Sequence, residues 1–292
     1  MMTITVVTFI MGCTSPMSNF TSNALNPVSL QDKQYILRVG VLPTQNKEVQ
    51  SLQIKPIHKY LEKTLGMQID FLVAKNYKDM VDLIVAEKVD ISYVGAVSYL
   101  EALERGAKVK PLVAPIDKHT GRPWYRACII VKTSSGINTL QDLKGKRIAF
   151  VNKSSTSGYL MPVAHFKKLG IDLRDFKQVL FPGTYAKTEA ALEDGIVDAI
   201  ATNIPSYLKR QKIGKLTPQN SKVLWESVPV PHSPIIMSQK LPPQLITRLK
   251  AAFIKAPSNI EDIVGADVDG YTLVEDSDYQ PIRKLRNEFL KN

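Results

Sequence analysis

Apolar residues run along this chain in two alternating modes. Short continuous runs mark buried strands, and segments in which apolar positions return with helical spacing mark helices packed by one face. Leu37–Leu42 predicts a strand stopped by Pro43, Gln50–Leu65 a helix closed by Gly66, and Gln68–Ala74 a second strand. Tyr77–Glu87 predicts a helix with Tyr77, Met80, Val81 and Ile84 on one face. Asp90–Val94 follows as a strand ending at Gly95, Ser98–Arg105 as a helix and Val109–Ile116 as a strand. The character then shifts. Residues 117–123 are polar and turn-rich, and an apolar strand runs from Tyr125 to Val131.

A second series begins there. It predicts a short helix at Leu140–Gly145, a strand at Arg147–Val151, a helix at Tyr159–Leu169 and a strand at Lys177–Phe181. A helix at Thr188–Asp194 and a strand at Val197–Ala201 complete it. Lys222–Val228 predicts a returning strand, Val228–Pro234 is Pro-rich, and the region from Leu241 reads as helical. Alternating strands and helices imply an α/β fold with largely parallel sheets. Two series joined by two crossings imply two lobes, the first from 36–122 and 223–292, the second from 123–222. Ligands of such sheets bind outside the carboxyl ends of strands. Here those are the loops after Leu42, Ala74, Val94, Val151, Phe181 and Ala201. The sequence shows no internal period and no low-complexity tract.

Composition narrows the class. The chain has 292 residues, 44% hydrophobic and 22% charged, enough to bury two cores. Its net charge of +11 attracts anions. The lysines are spread along the whole length and are not interleaved with aromatics, so no nucleic-acid platform is expected. No run reaches the roughly 20 apolar residues that span a bilayer. The start, MMTITVVTFIM followed by Gly12-Cys13, reads as the end of a signal h-region with a lipobox. Cleavage after Gly12 would leave a lipidated Cys13 as the membrane anchor. Residues 14–35, rich in Ser, Thr, Asn and Pro, would be the tether. Cys128, in the apolar run 127–131, is expected to be a buried, inert thiol.

The chemistry lies in Arg147–Pro162. A strand ends at Asn152, and Ser155, Thr156 and Ser157 lead through Gly158 into a helix. A helix start offers unpaired N–H groups and partial positive charge, so an oxyanion placed there meets amide and hydroxyl donors together. Capping needs one hydroxyl residue, and this turn has three in a row. Pro162 leaves the Gly158 carbonyl without its helical partner.

These residues carry a resemblance. Leu143–Asn152 with Ser155–Pro162 resembles the phosphonate/phosphite/phosphate-binding periplasmic proteins of ABC importers. So do Val39–Pro43, Asp90–Gly95 with Ser98-Tyr99, and Gly195–Ala199. The resemblance implies a bilobal type II periplasmic binding protein fold, two Rossmann-like lobes joined by a two-segment hinge. It implies that Ser155, Thr156 and Ser157 hold the phosphoryl oxygens, that Tyr77 donates to the ligand and that Tyr125 closes over it. Tyr93 would line the wall. Two departures stand out. Gly183-Thr184-Tyr185 replaces a histidine common in the family, which makes Tyr185 a candidate contact. Pro231–Pro234 replaces an acidic residue of the second crossing, and His232 there is a candidate donor. Loss of that carboxylate argues against an aminoalkyl-phosphonate and against a strict demand for a P–OH.

The resemblance therefore implies a monomeric, extracytoplasmic solute-binding protein for a small phosphorus oxyanion, partnered by an ABC permease. Sulfate, sulfonate or a ligand-sensing role remain alternatives. No GxSxG, P-loop, GxGxxG or HExxH motif occurs. His58, His119, His165 and His232 lack metal-ligand spacing. No catalysis, cofactor or metal is expected.

Overall fold

The computed structural model describes residues 35–258, 260 and 267–290. Cys13 and the tether at 14–35 lie outside it, apart from Tyr35. The first series is β1 (Leu37–Val41), α1 (Lys47–Leu65), β2 (Ile69–Val73), α2 (Tyr77–Val85), β3 (Ile91–Tyr93), α3 (Ala96–Glu104) and β4 (Val109–Asp117). Then come β5 (Trp124–Tyr125), β6 (Ala127–Lys132), β7 (Arg147–Ala149), α4 (Met161–Lys168), β8 (Gln178–Leu180), α5 (Tyr185–Glu193), β9 (Ala199–Asn203) and α6 (Ile204–Lys212). The chain finishes with β10 (Ser221–Glu226), β11 (Val230–Pro231), β12 (Ile235–Ser238), α7 (Pro243–Ile254), β13 (Val268–Leu273) and α8 (Gln280–Leu290).

Each lobe is a sheet between helices. The first sheet runs β13-β4-β12-β3-β1-β2. The apolar stripe of α1 (Ile54, Ile57, Leu61) and that of α7 (Leu245, Leu249, Phe253) cover one face, and α2 and α3 cover the other. Asn46 caps α1 by accepting from Val49 N at 2.9 Å, and Gly66 ends it in the left-handed region at φ 60°. The second sheet runs β10-β6-β9-β7-β8. Period two is visible in β6: Ile129 and Val131 join the α4 side, whereas Cys128 and Ile130 join the side of α5 and α6. Cys128 is fully buried, and burial pushes its thiol well up, so it stays protonated.

The sheets are mixed, not largely parallel. β1 pairs in parallel with β2 and β3, and β7 with β8 and β9. Each crossing brings the chain back the other way, so β12 runs antiparallel between β3 and β4, and β6 antiparallel between β9 and β10. The returning strand β10 is hydrogen-bonded to β6. Residues 223–226 thus belong with the second sheet, past the boundary at 222. The crossings themselves are tied together. Val230 pairs with Tyr125 and Pro231 with Trp124, and His232 N donates to Pro123 O at 2.8 Å. Helix α8 links the lobes again. Its Arg286 pairs with Glu101 and Glu104 of α3, and Lys167 of α4 donates to Phe289 O at 2.7 Å.

The lobes also share a local device that the residue pattern concealed. Arg38 binds Asp90 through its backbone N and both side-chain donors, at 2.8, 3.0 and 2.7 Å. Arg147 binds Asp198 through the same three groups, at 2.9, 3.1 and 2.7 Å. Each clasp joins the first parallel strand of a lobe to the strand beside it. The helix–strand–helix units α2-β3-α3 and α5-β9-α6 begin with Tyr77 and Tyr185. They then place Val-Asp and Ser-Tyr at the same spacing, Val89-Asp90 with Ser98-Tyr99 and Val197-Asp198 with Ser206-Tyr207. The chain does contain an internal repeat, too diverged for its apolar period to reveal.

Behind the second sheet, Glu189 of α5 is 1% exposed. It accepts from Thr202 Oγ1 at 2.9 Å, while the guanidinium of Arg210 is turned mainly to Glu193. Burial pushes the Glu189 carboxyl from 4.5 up to about 8. The folded chain therefore keeps a proton that the unfolded chain loses above about 4.5, and stability falls as pH rises from there to about 8. Thermal unfolding between pH 5 and pH 9 checks this. Glu189→Gln should flatten that decline and melt roughly 3 °C or more above the parent at pH 8.

Candidate functional site

The predicted hydroxyl turn meets the opposite lobe. Pro162 has no N–H, and the Gly158 carbonyl instead accepts from Val151 N at 3.0 Å. Leu160 N reaches back to Ser155 O at 3.0 Å, so Thr156–Leu160 form a widened π-helical turn ahead of α4. Gly158 is required there, because a Cβ would lie 2.5 Å from Val151 Cγ2.

Each hydroxyl has a separate place. Ser155 is the cap, its Oγ accepting from Gly158 N at 3.1 Å. Thr156 serves a helix it does not belong to. Helix α3 starts at Gly95 with no side-chain cap of its own, and Thr156 Oγ1 accepts from Val97 N at 3.0 Å across the cleft. Ser98 Oγ donates to Ser154 O at 3.2 Å beside it. Ser157 is fully buried, its Oγ 2.8 Å from the Tyr185 hydroxyl. The Tyr185 hydroxyl also lies 3.1 Å from Ser155 Oγ.

Between the lobes is a cavity of about 80 Å³, room for a few waters or one small oxyanion. Ser155, Thr156, Tyr77, Tyr93, Tyr125, Tyr185 and His232 line it, and Ser157 does not. Seven of the eight predicted site residues thus converge from both lobes and both crossings. Tyr77 and Tyr185 open α2 and α5, Tyr93 ends β3, and Tyr125 sits on the first crossing. Burial raises the phenols of Tyr77, Tyr125 and Tyr185 above their ordinary range. They remain neutral O–H donors at physiological pH. His232 is 6% exposed, its ring 5.2 Å from that of Tyr125. Its Nδ1 has no partner, and burial lowers its pKa to about 4, against the pull of Asp117. The imidazole is neutral.

Other lining residues escaped the sequence reading. Thr44, its buried Oγ1 without a partner, follows β1. Asn203, Ser206 and Lys209 come from the end of β9 and from α6, and Ser233 from the second crossing. Strand ends after residue 42 and residue 201 pointed to this region, but α6 itself was not foreseen. A larger groove of about 710 Å³ lies beside the crossings, between Trp124, Trp225, His165 and Leu273. It is mostly apolar and contains none of the hydroxyl turn, so it does not fit a small anion. Among the described residues, no group of three or more His, Cys, Asp or Glu could hold a metal. No helix there is long and apolar enough to cross a membrane.

Comparison with known proteins agrees with this geometry. A family model for the phosphonate periplasmic substrate-binding protein of ABC transporters matches residues 39–279. The phosphate-import protein PhnD of Mycolicibacterium smegmatis is 29% identical over 227 residues, covering 74% of this chain and 70% of its own length. The phosphonates-binding periplasmic protein of Escherichia coli is 29% identical over 226 residues, covering 75% and 66%. In fold, the chain matches PhnD1 of Prochlorococcus marinus in complex with methylphosphonate at a TM-score of 0.79. That match has 21% identity and covers 88% of this chain and 99% of the other. The family model matches most of the chain and the two-lobed fold is shared: this protein belongs to the family of periplasmic substrate-binding proteins of phosphonate ABC transporters.

Proposed function

We propose that this protein captures a small phosphorus oxyanion between its lobes and delivers it to an ABC permease. Phosphonate, phosphite and phosphate are the candidate ligands, and the cavity of about 80 Å³ favours the compact ones. In this reading the protein works outside the cytoplasm, tethered through a lipid on Cys13, and it binds without catalysis. One observation carries the reading. Thr156 Oγ1 lines the cavity and accepts a hydrogen bond from the opposite lobe. A hydroxyl has one donor and two acceptor positions. Its proton remains available for an anion while its lone pair holds the cleft shut. Binding and closure then share one atom.

The remaining donors suit the same task. Three neutral phenols and the Ser155 hydroxyl line the cavity. Together they replace the water that a tetrahedral anion loses on entry. Ser157 fixes the Tyr185 hydroxyl.

Calorimetric titration of the full chain against phosphite, phosphate, methylphosphonate and aminoethylphosphonate tests the function. At least one compact ligand should bind, and aminoethylphosphonate should bind worst. No heat with any of them at millimolar concentration would reject the reading. Thr156→Val removes a hydrogen bond to a charged ligand, a loss of about 1.5–3 kcal/mol, or ten- to hundredfold in affinity. Thr156→Ser keeps the hydroxyl and should stay within about threefold of the parent. Equal affinities for the two variants would remove Thr156 from the site. The anchor is tested separately. Mass spectrometry of the membrane-associated protein should find a lipid-modified Cys13 at the N-terminus, and an unmodified Cys13 there would refute the anchor.

A further inference from the structure

Of the buried side-chain atoms that lack a hydrogen-bond partner, two belong to residues lining the cavity: Thr44 Oγ1 and His232 Nδ1. Neither stands in the hydroxyl turn. Thr44 follows β1 in the first lobe, and His232 stands on the second crossing. Both are fixed through their backbones. Thr44 N donates to Gln50 Oε1 at 3.0 Å, and Thr44 O accepts from Ala186 N of the other lobe at 3.2 Å. Gln50 is fully buried on α1 and donates through Nε2 to Leu42 O at 2.7 Å, so one side chain holds the turn at both ends. His232 N donates to Pro123 O at 2.8 Å, and His232 O accepts from the Tyr279 hydroxyl at 3.0 Å. In each residue the backbone groups are engaged and one side-chain atom is left over. A buried polar atom without a partner is costly and calls for an explanation.

A ligand oxygen supplies that explanation. We infer that Thr44 and His232 hold a fourth oxygen of the tetrahedral ligand, so that the cleft prefers phosphate to phosphite and to phosphonates. The inference rests on the oxyanion site proposed above and adds which member of the class it takes. Phosphate presents an oxygen in all four directions, whereas phosphite has a P–H in the fourth and methylphosphonate a methyl group. The hydroxyls of Ser155 and Thr156 and the phenols of the wall meet the three oxygens that these ligands share. A hydrogen or a methyl group against Thr44 and His232 would leave both atoms unpaired. A site built to hydrogen-bond one group discriminates strongly against an analogue that lacks it. Leu42 and Pro205 are the only wholly aliphatic side chains of the described lining, so little of the wall suits a methyl group. The pair also accepts phosphate in either of its forms near neutrality. The Thr44 hydroxyl has one proton and two lone pairs, and a neutral imidazole nitrogen donates or accepts according to its tautomer. A bare and a protonated oxygen are therefore both satisfied there.

The ratio of affinities decides the matter. Titration calorimetry of the full chain is run at one pH with phosphate, phosphite and methylphosphonate. Phosphate should bind tightest, by about tenfold or more over either of the others. Thr44→Val keeps the shape and removes the hydroxyl. It should weaken phosphate about tenfold and move phosphite and methylphosphonate by less than about threefold, so that the preference collapses. Thr44→Ser should restore the preference, and His232→Leu should lower it as Thr44→Val does. Thr156→Val, which loses a contact common to all three ligands, should weaken them alike. Melting temperatures check that each variant is folded, and the ranking on the parent protein stands without them. Phosphite or methylphosphonate binding as tightly as phosphate overturns the inference and leaves the proposed function intact. A folded Thr44→Val variant that weakens all three ligands alike, or none of them, also overturns it. No heat with any of the three rejects the proposed function and the inference with it.

Discussion

One carbonyl without a partner in its own helix shapes the cleft. Pro162 cannot donate to Gly158, so Gly158 O turns back to Val151 N and the helix opens with a wide turn. That turn gives the three hydroxyls different partners. Ser155 is the cap, Thr156 reaches the other lobe, and Ser157 meets a phenol. A regular helical start needs only one such side chain, as its cap. The exposed face of the site therefore comes from a local rule broken and then compensated one strand away.

Closure follows from the same geometry. Helix α3 leaves an N–H unpaired in its own lobe, and Thr156 supplies the cap from the other lobe. Ser98 Oγ with Ser154 O, and Ala186 N with Thr44 O at 3.2 Å, add further bonds across the cleft. The crossings and α8 hold the lobes on the far side of these contacts. The elements that line the cleft are thus tied to the two sheets, and most of the polar side chains they bring to it are neutral. Such donors lose little freedom on binding and need no reorganisation.

Much of this was legible in the residues because the period was strong. Tyr77, Met80, Val81 and Ile84 share a buried face of α2 as their spacing required. The hydroxyl run and the strand ends located the cavity. What escaped was weakly patterned. Helix α6 begins Ile204-Pro205 and has a basic last turn, and only Tyr207 is buried, too thin a stripe to separate helix from loop. Strand β12 is four residues long after a Pro-rich stretch, so its central place between β3 and β4 comes from tertiary pairing alone. The wide turn at Thr156–Leu160 was not legible either, since a π-turn follows from a carbonyl bonding to a distant amide. Tyr185 looked like the replacement of a family histidine. In space it is also the counterpart of Tyr77 on the other lobe.

The twin Arg–Asp clasps bear on how such a cleft changes over generations. Arg38–Asp90 and Arg147–Asp198 secure two copies of one unit, each independently of the other. Residues at the meeting line come in counterpart pairs, Tyr77 with Tyr185 and Ser98 with Ser206. A mutation in one copy remodels half of the binding surface and leaves its twin, with its own clasp, unchanged. Divergence between duplicated halves, without insertion of new loops, is then enough to retune such a receptor while its frame persists.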